Sequence, residues 1–164
     1  GFAFLPITSF NMAVTTFISQ NLGAKQYDRA KKGARFGIWA AVIMAELIGV
    51  ACYVWAPYLI GFFDKTPEVV AYGVQQAHTV ALFYCLLAFS HSIAAVCRGA
   101  GKAFVPMFVM LSVWCALRIA YIILVMHFFG EITYIYWAYP LTWLISSVIY
   151  LIYYLCSDWV HGFD

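Results

Sequence analysis

The chain has 164 residues, 65% hydrophobic, 20% aromatic and only 10% charged, with a mean hydropathy of +0.87 and a net charge of +2. A soluble domain averages about 45–50% apolar and about 25% charged residues, and one core of this length hides far less apolar surface than this composition supplies. An ordinary water-soluble domain is excluded, a nucleic-acid binder is disfavoured by so small a charge, and a bilayer is left as the solvent.

Charged residues cut the sequence into five apolar segments, each long enough to cross a hydrocarbon core of about 30 Å as a helix. The expected spans cover about 1–22, 29–60, 67–98, 103–129 and 132–156, with 158–164 as a tail. The first span has no formal charge but carries Thr8, Asn11, Thr15 and Ser19 at helical spacing, with apolar residues opposite. Such a stripe either bonds across to neighbouring helices or lines a water-filled cavity. Gly23 reads as the stop of this helix, permitting a left-handed turn, and Gln20 as a partner for its last carbonyls.

The first connector then gathers Lys25, Arg29, Lys31, Lys32 and Arg35, five of the nine Lys and Arg residues. Asp28 is placed to N-cap the second helix, where the helix dipole favours its carboxylate. Gly33 and Gly37 form a GxxxG at the interfacial end of that helix, weak evidence for a dimer. Beyond this basic segment, residues 36–63 carry only Glu46. Thr66-Pro67-Glu68 reads as an N-cap, a proline at the first helical position and an acid in the first turn of the third span.

That third span has no formal charge between Glu68 and Arg98. Gln75, His78 and Thr79 form a small polar patch toward its outer end. His91 lies thirteen residues beyond His78, about 140° around the helix, so the two do not share a face. Each histidine reads first as a hydrogen-bonded packing residue, with His91 the weaker candidate for a proton relay. Gly99 and Gly101 break the chain before the fourth span, which carries only Arg118, and Gly130 breaks it before the fifth. The fifth span has Tyr134, Tyr136, Trp137 and Tyr139 near one end and Tyr150, Tyr153, Tyr154 and Trp159 near the other, as two interfacial belts. Pro140 is expected to kink it.

Five spans put the first and third connectors on one side, with seven basic residues, and the second and fourth on the other, with Lys65 alone. By the positive-inside rule the basic side, and with it the C-terminus after Tyr154, faces the cytoplasm.

Glu46 and Arg118 are the charges deepest in the membrane and are expensive there without partners. Counted from Arg29 and Ala103, they lie within about 3 Å of one another in depth. They are therefore a candidate pair, read either as a fixed structural ion pair or as a coupling or gating element. The five cysteines all lie inside apolar segments without CxxC or Cys/His metal spacing and read as small buried hydrophobes. No nucleophile–base pair, phosphate loop or metal set is present, so no catalytic residue, metal or bound cofactor is expected, and the chain does not read as an enzyme.

Two stretches carry a resemblance. Thr16–Gly37, "TFISQNLGAKQYDRAKKGARFG", is similar to the connector after the second helix of a bundle in the multidrug and toxic compound extrusion (MATE) family. Gln20, Gly23, Ala24, Arg29 and Gly33 carry its Gln…Gly-Ala pattern and basic continuation. Cys97–Val109, "CRGAGKAFVPMFV", resembles the family's Arg-Gly-x-Gly connector through Arg98, Gly99 and Gly101. Leu117–Ile122 and Tyr136–Tyr154 are similar to its last two helices, so the resemblance covers essentially the whole chain.

The resemblance implies an all-α integral membrane protein whose five transmembrane helices correspond to helices eight to twelve of a twelve-helix, two-bundle transporter. Because the chain begins at Gly1 inside an apolar run, it reads as a C-terminal piece of something longer, lacking helix seven and the whole N-terminal bundle. The implied activity is efflux of organic, often cationic compounds from the cell through the plasma (inner) membrane, driven by Na⁺ or H⁺ antiport with alternating access. Thr8, Asn11, Thr15, Ser19, Gln75, His78 and Tyr84 are the candidate cavity lining. The third span lacks the acid that some family members carry on their tenth helix, which places the expected coupling acid in the missing bundle. A lipid-linked saccharide flippase of related fold and a small oligomeric scaffold or channel are the alternatives.

Overall fold

The computed structural model describes residues 2–161, and among these every regular element is helical. Helix α1 (Leu5–Gly23) follows a single 3₁₀ turn and has Pro6 in its first turn, where a missing N–H costs nothing. Helix α2 (Tyr27–Phe63) has 37 residues, about 55 Å of helix. Helix α3 (Pro67–Gly99) is interrupted by a 3₁₀ turn at Ala81–Phe83. Helix α4 (Phe104–Phe128) winds as a π-helix over Met110–Leu117, and α5 (Ile132–Cys156) is broken at Trp137, three residues before Pro140.

Helices α2 to α5 are each long and apolar enough to cross a membrane alone. The 19-residue α1 does not qualify, because its Thr, Ser, Asn and Gln side chains dilute its hydropathy. It is held instead by packing against α2 and α3.

Helix α3 is the axis of the bundle, in contact with α1, α2 and α5, while α4 packs on α5. The reason lies in its second half, where Ser90, Ser92, Ala94, Ala95, Cys97 and Gly99 are all buried. Small side chains let helix backbones approach, which is what association within a bilayer requires. At Gly99 a Cβ would lie 2.7 Å from the Thr15 carbonyl oxygen, so glycine is what allows α1 and α3 to meet there.

The two basic connectors share one geometry. After α3, the Gly101 N–H donates to the Arg98 carbonyl (3.0 Å) and the Lys102 N–H to Cys97 (2.9 Å), with Gly101 left-handed at φ 76°. After α1, Lys25 donates to Leu22 (3.0 Å) and Gln26 to Asn21 (2.8 Å). Both are Schellman caps. The expectation that Gly23 makes the left-handed turn is corrected: Lys25 does, at φ 56°, because the motif puts that conformation two residues beyond the helix end. Asp28 is likewise not the N-cap of α2; Gln26 is, and Asp28 lies in the first turn.

Thr66 does precede α3 with Pro67 behind it, but the capping contact comes from Asp64, whose Oδ1 accepts the Thr66 N–H at 2.8 Å. That bond holds the Asp64 carboxyl below its ordinary 3.8. The expected tail is described only to His161, and this part is not loose. Trp159 and Val160 are buried with Val14, Ile18, Leu22, Ala30, Ala34 and Ala95, folding back over the end of the bundle that carries the basic connectors.

Candidate functional site

A hydroxyl on a helix in an apolar medium has one partner always within reach, the carbonyl a turn earlier. Thr8 donates to Phe4 O (2.7 Å), Thr16 to Met12 O (3.1 Å) and Ser19 to Thr15 O (3.1 Å) in this way. Thr15 is shared between Asn11 O (3.0 Å) and, across the seam, Ala95 O of α3 (3.1 Å). With their donors spent internally, these hydroxyls present lone pairs outward.

Thr8, Asn11 and Thr15 line one open groove of about 260 Å³ between α1 and α3, together with Met12, Thr16, His91 and Arg98. Asn11 is 3% exposed; its Oδ1 accepts from Ser92 Oγ at 3.1 Å, but its Nδ2 has no partner. His91 Nε2 is also buried without a partner. The imidazole is wedged edge-on between Phe4 (5.0 Å) and Trp114 (5.1 Å), which fixes its plane. Beyond Trp114 stands Arg118, its guanidinium 5.3 Å from the Trp114 ring and 4.6 Å from Tyr139, with Nη2 donating to Thr142 Oγ1 at 2.6 Å. Trp114 Nε1 and Arg118 Nε are buried and unpartnered as well. Helices α1, α3 and α4 thus hold buried nitrogens without partners, and among the described residues no carboxylate lines the groove. What fits is water, or a solute with acceptor oxygens against the Asn11 amide and donors against the threonine lone pairs.

Glu46 and Arg118 are not brought together. Glu46 lies beside the Cys85 thiol with one carboxylate oxygen buried and unpartnered. Among the described residues the only ion pair is Asp158–His161, at 2.8 Å. A similar depth does not fix azimuth: α3 packs between α2 on one side and the α4–α5 pair on the other.

Gln75, His78 and Tyr84 are also outside the groove. Gln75 Nε2 bonds Thr133 Oγ1 of α5 (3.1 Å), and Tyr84 packs against Trp143 with rings 6.0 Å apart. His78 Nε2 donates to the Tyr53 carbonyl at 3.1 Å while its ring stacks on Tyr53 at 4.3 Å. That carbonyl is the one Pro57, four residues on and lacking an N–H, leaves without its helical partner. Ser19 lies one turn beyond the groove, bonded within α1. Of the connector residues, Arg98 alone lines it. Sequence reasoning undervalued His91, whose setting is made by Phe4 and Trp114 from outside its own helix.

The MatE family model matches residues 1–124. A probable multidrug resistance protein, YoeA of Bacillus subtilis (strain 168), is 24% identical over 152 residues, covering 92% of this chain and 33% of that protein. The chain therefore spans about a third of the length of this relative. No solved structure matches it.

Proposed function

The chain belongs to the MatE family, and from that premise we propose that it is the helix-eight-to-twelve part of a multidrug efflux transporter, working by Na⁺ or H⁺ antiport with alternating access. A transporter rather than an enzyme is what the family suggests. In this reading the N-terminal bundle stands across from the α1–α3 groove, and solute passes between the two. The seven basic residues of the two connectors support a cytoplasmic end there and a cytoplasmic C-terminus in the plasma membrane.

The single observation that carries the reading is the groove itself. An open polar cleft along an otherwise apolar helix, with Asn11 Nδ2 and His91 Nε2 buried and unsatisfied, is costly in a bilayer unless water or solute fills it. Because the groove has Arg98 and, among the described residues, no carboxylate, a cationic solute takes its counter-charge from the other bundle and offers acceptor oxygens here. The coupling acid is likewise assigned to the other bundle.

The test is efflux of a fluorescent organic cation by the full-length protein in vesicles, under separate Na⁺ and H⁺ gradients. His91→Phe keeps the ring packing but removes the nitrogens, and is expected to lower efflux roughly threefold to tenfold at unchanged protein level, the loss of one hydrogen bond. Wild-type efflux by His91→Phe and by Asn11→Leu together would remove the groove from the solute path.

A further inference from the structure

We propose that a second groove, between α1 and α2, binds an anionic membrane lipid, with one acyl chain along the groove and the phosphate held by Arg29 and Lys32. The groove has a volume of about 310 Å³ and is lined by Phe10, Ala13, Phe17, Gly33, Phe36 and Gly37 without a single polar side chain. It exists because α2 has glycine where the rings lie: a Cβ at Gly33 would run into the Phe17 ring. Its shape and its chemistry suit a hydrocarbon chain and nothing polar.

One end of the groove is cationic. Arg29 precedes Gly33 by four residues and Lys32 precedes Phe36 by four, so both lie on the groove's face of α2, one turn toward the connector. The Arg29 guanidinium carbon is 5.9 Å from the centre of the Phe17 ring, which joins the charged end to the apolar wall. Both side chains are exposed, and among the described residues no carboxylate forms an ion pair with either. Among the described residues, the Arg29 guanidinium donates to Gln26 Oε1, at 3.4 Å. A phosphodiester placed there meets two cations and a fork of guanidinium donors, whereas a choline headgroup adds a positive charge where there is already an excess. The occupant is therefore an anionic glycerophospholipid such as phosphatidylglycerol. Binding here is independent of the transport reading, since this groove lies about 180° around α1 from the polar one.

The experiment is native mass spectrometry of the full-length protein released from nanodiscs of equimolar phosphatidylglycerol and phosphatidylcholine. Wild type is expected to retain phosphatidylglycerol about tenfold over phosphatidylcholine. The Arg29→Gln/Lys32→Gln double variant is expected to bring the two lipids level. Ala13→Trp, which fills the groove from an exposed position, is expected to reduce retention of both. Lys102→Gln, on the other basic connector, keeps the wild-type ratio. Equal retention by wild type, phosphatidylglycerol retained by the double variant or by Ala13→Trp, or the same loss in Lys102→Gln would each overturn the proposal.

Discussion

The two faces of α1 are built to opposite rules. One face lays Thr8, Asn11 and Thr15 along a groove with His91 and Arg98, and buries an amide nitrogen and an imidazole nitrogen without partners. The other, about half a turn away, lays Phe10, Ala13 and Phe17 along a groove of similar volume with no polar side chain in its wall. A bilayer charges heavily for unsatisfied polar groups and almost nothing for exposed apolar ones. Helix α1 is thus a boundary helix: its apolar face is at home against lipid, and its polar face needs water, solute or another part of the protein.

The seam between α1 and α3 is what keeps both faces in place, so the largest effect is expected there. Gly99→Leu drives a side chain into the Thr15 carbonyl and the Ile18 side chain, with an expected destabilisation of about 3 kcal/mol. Thermal unfolding followed by size-exclusion should show a markedly lower midpoint, and both the efflux and the lipid retention should fall together. Lys25→Gly is expected to act oppositely and more weakly. Glycine in the left-handed cap position, as at Gly101 of the second connector, removes about 1 kcal/mol of backbone strain. The unfolding midpoint should rise while both grooves stay as they are. Thr15→Val removes the interhelical bond to Ala95 O, about 0.6 kcal/mol, together with the intrahelical contact to Asn11 O, and should lower the midpoint slightly without touching the apolar face.

The smallest effect is a control outside the bundle. The Thr66 N–H bond holds the Asp64 carboxyl below its ordinary 3.8, so the stabilisation it gives is present above that value and is lost as pH falls below it. Protection of the Thr66 amide, its hydrogen exchange compared with an unstructured amide at the same pH, should fall only below about pH 4, with neither face of α1 altered.

The polar stripe of α1 was legible because Thr8, Asn11 and Thr15 repeat at helical spacing within one segment, where sequence order and geometry coincide. The helical membrane fold was legible for the same reason, since length, hydropathy and charge breaks are all local. What was hidden depends on azimuth between helices. Glu46 and Arg118 come out at a similar depth by residue count alone, yet α3 packs between their helices. His91 looked unremarkable on its own helix because Phe4 and Trp114, which give it its setting, come from elsewhere in the chain. His78 had a signal that spacing alone does not reveal: Pro57 leaves the Tyr53 carbonyl free, and a donor from a neighbouring helix has to meet it. The turn after α1 misled for a local reason, since Gly23 draws attention while the cap places its left-handed residue at Lys25.

The boundary role of α1 is tested most directly by spin labels placed singly at Thr8, Met12 and Thr16 and at Ala13 and Phe17 of the full-length protein in lipid bilayers. Accessibility to a water-soluble nickel reagent and to oxygen, which partitions into lipid, is measured at each. The first three positions are expected to favour the nickel reagent and the last two oxygen, alternating with the helical period. Uniform oxygen accessibility at all five positions would mean that lipid surrounds α1 and that no aqueous path runs along its polar face.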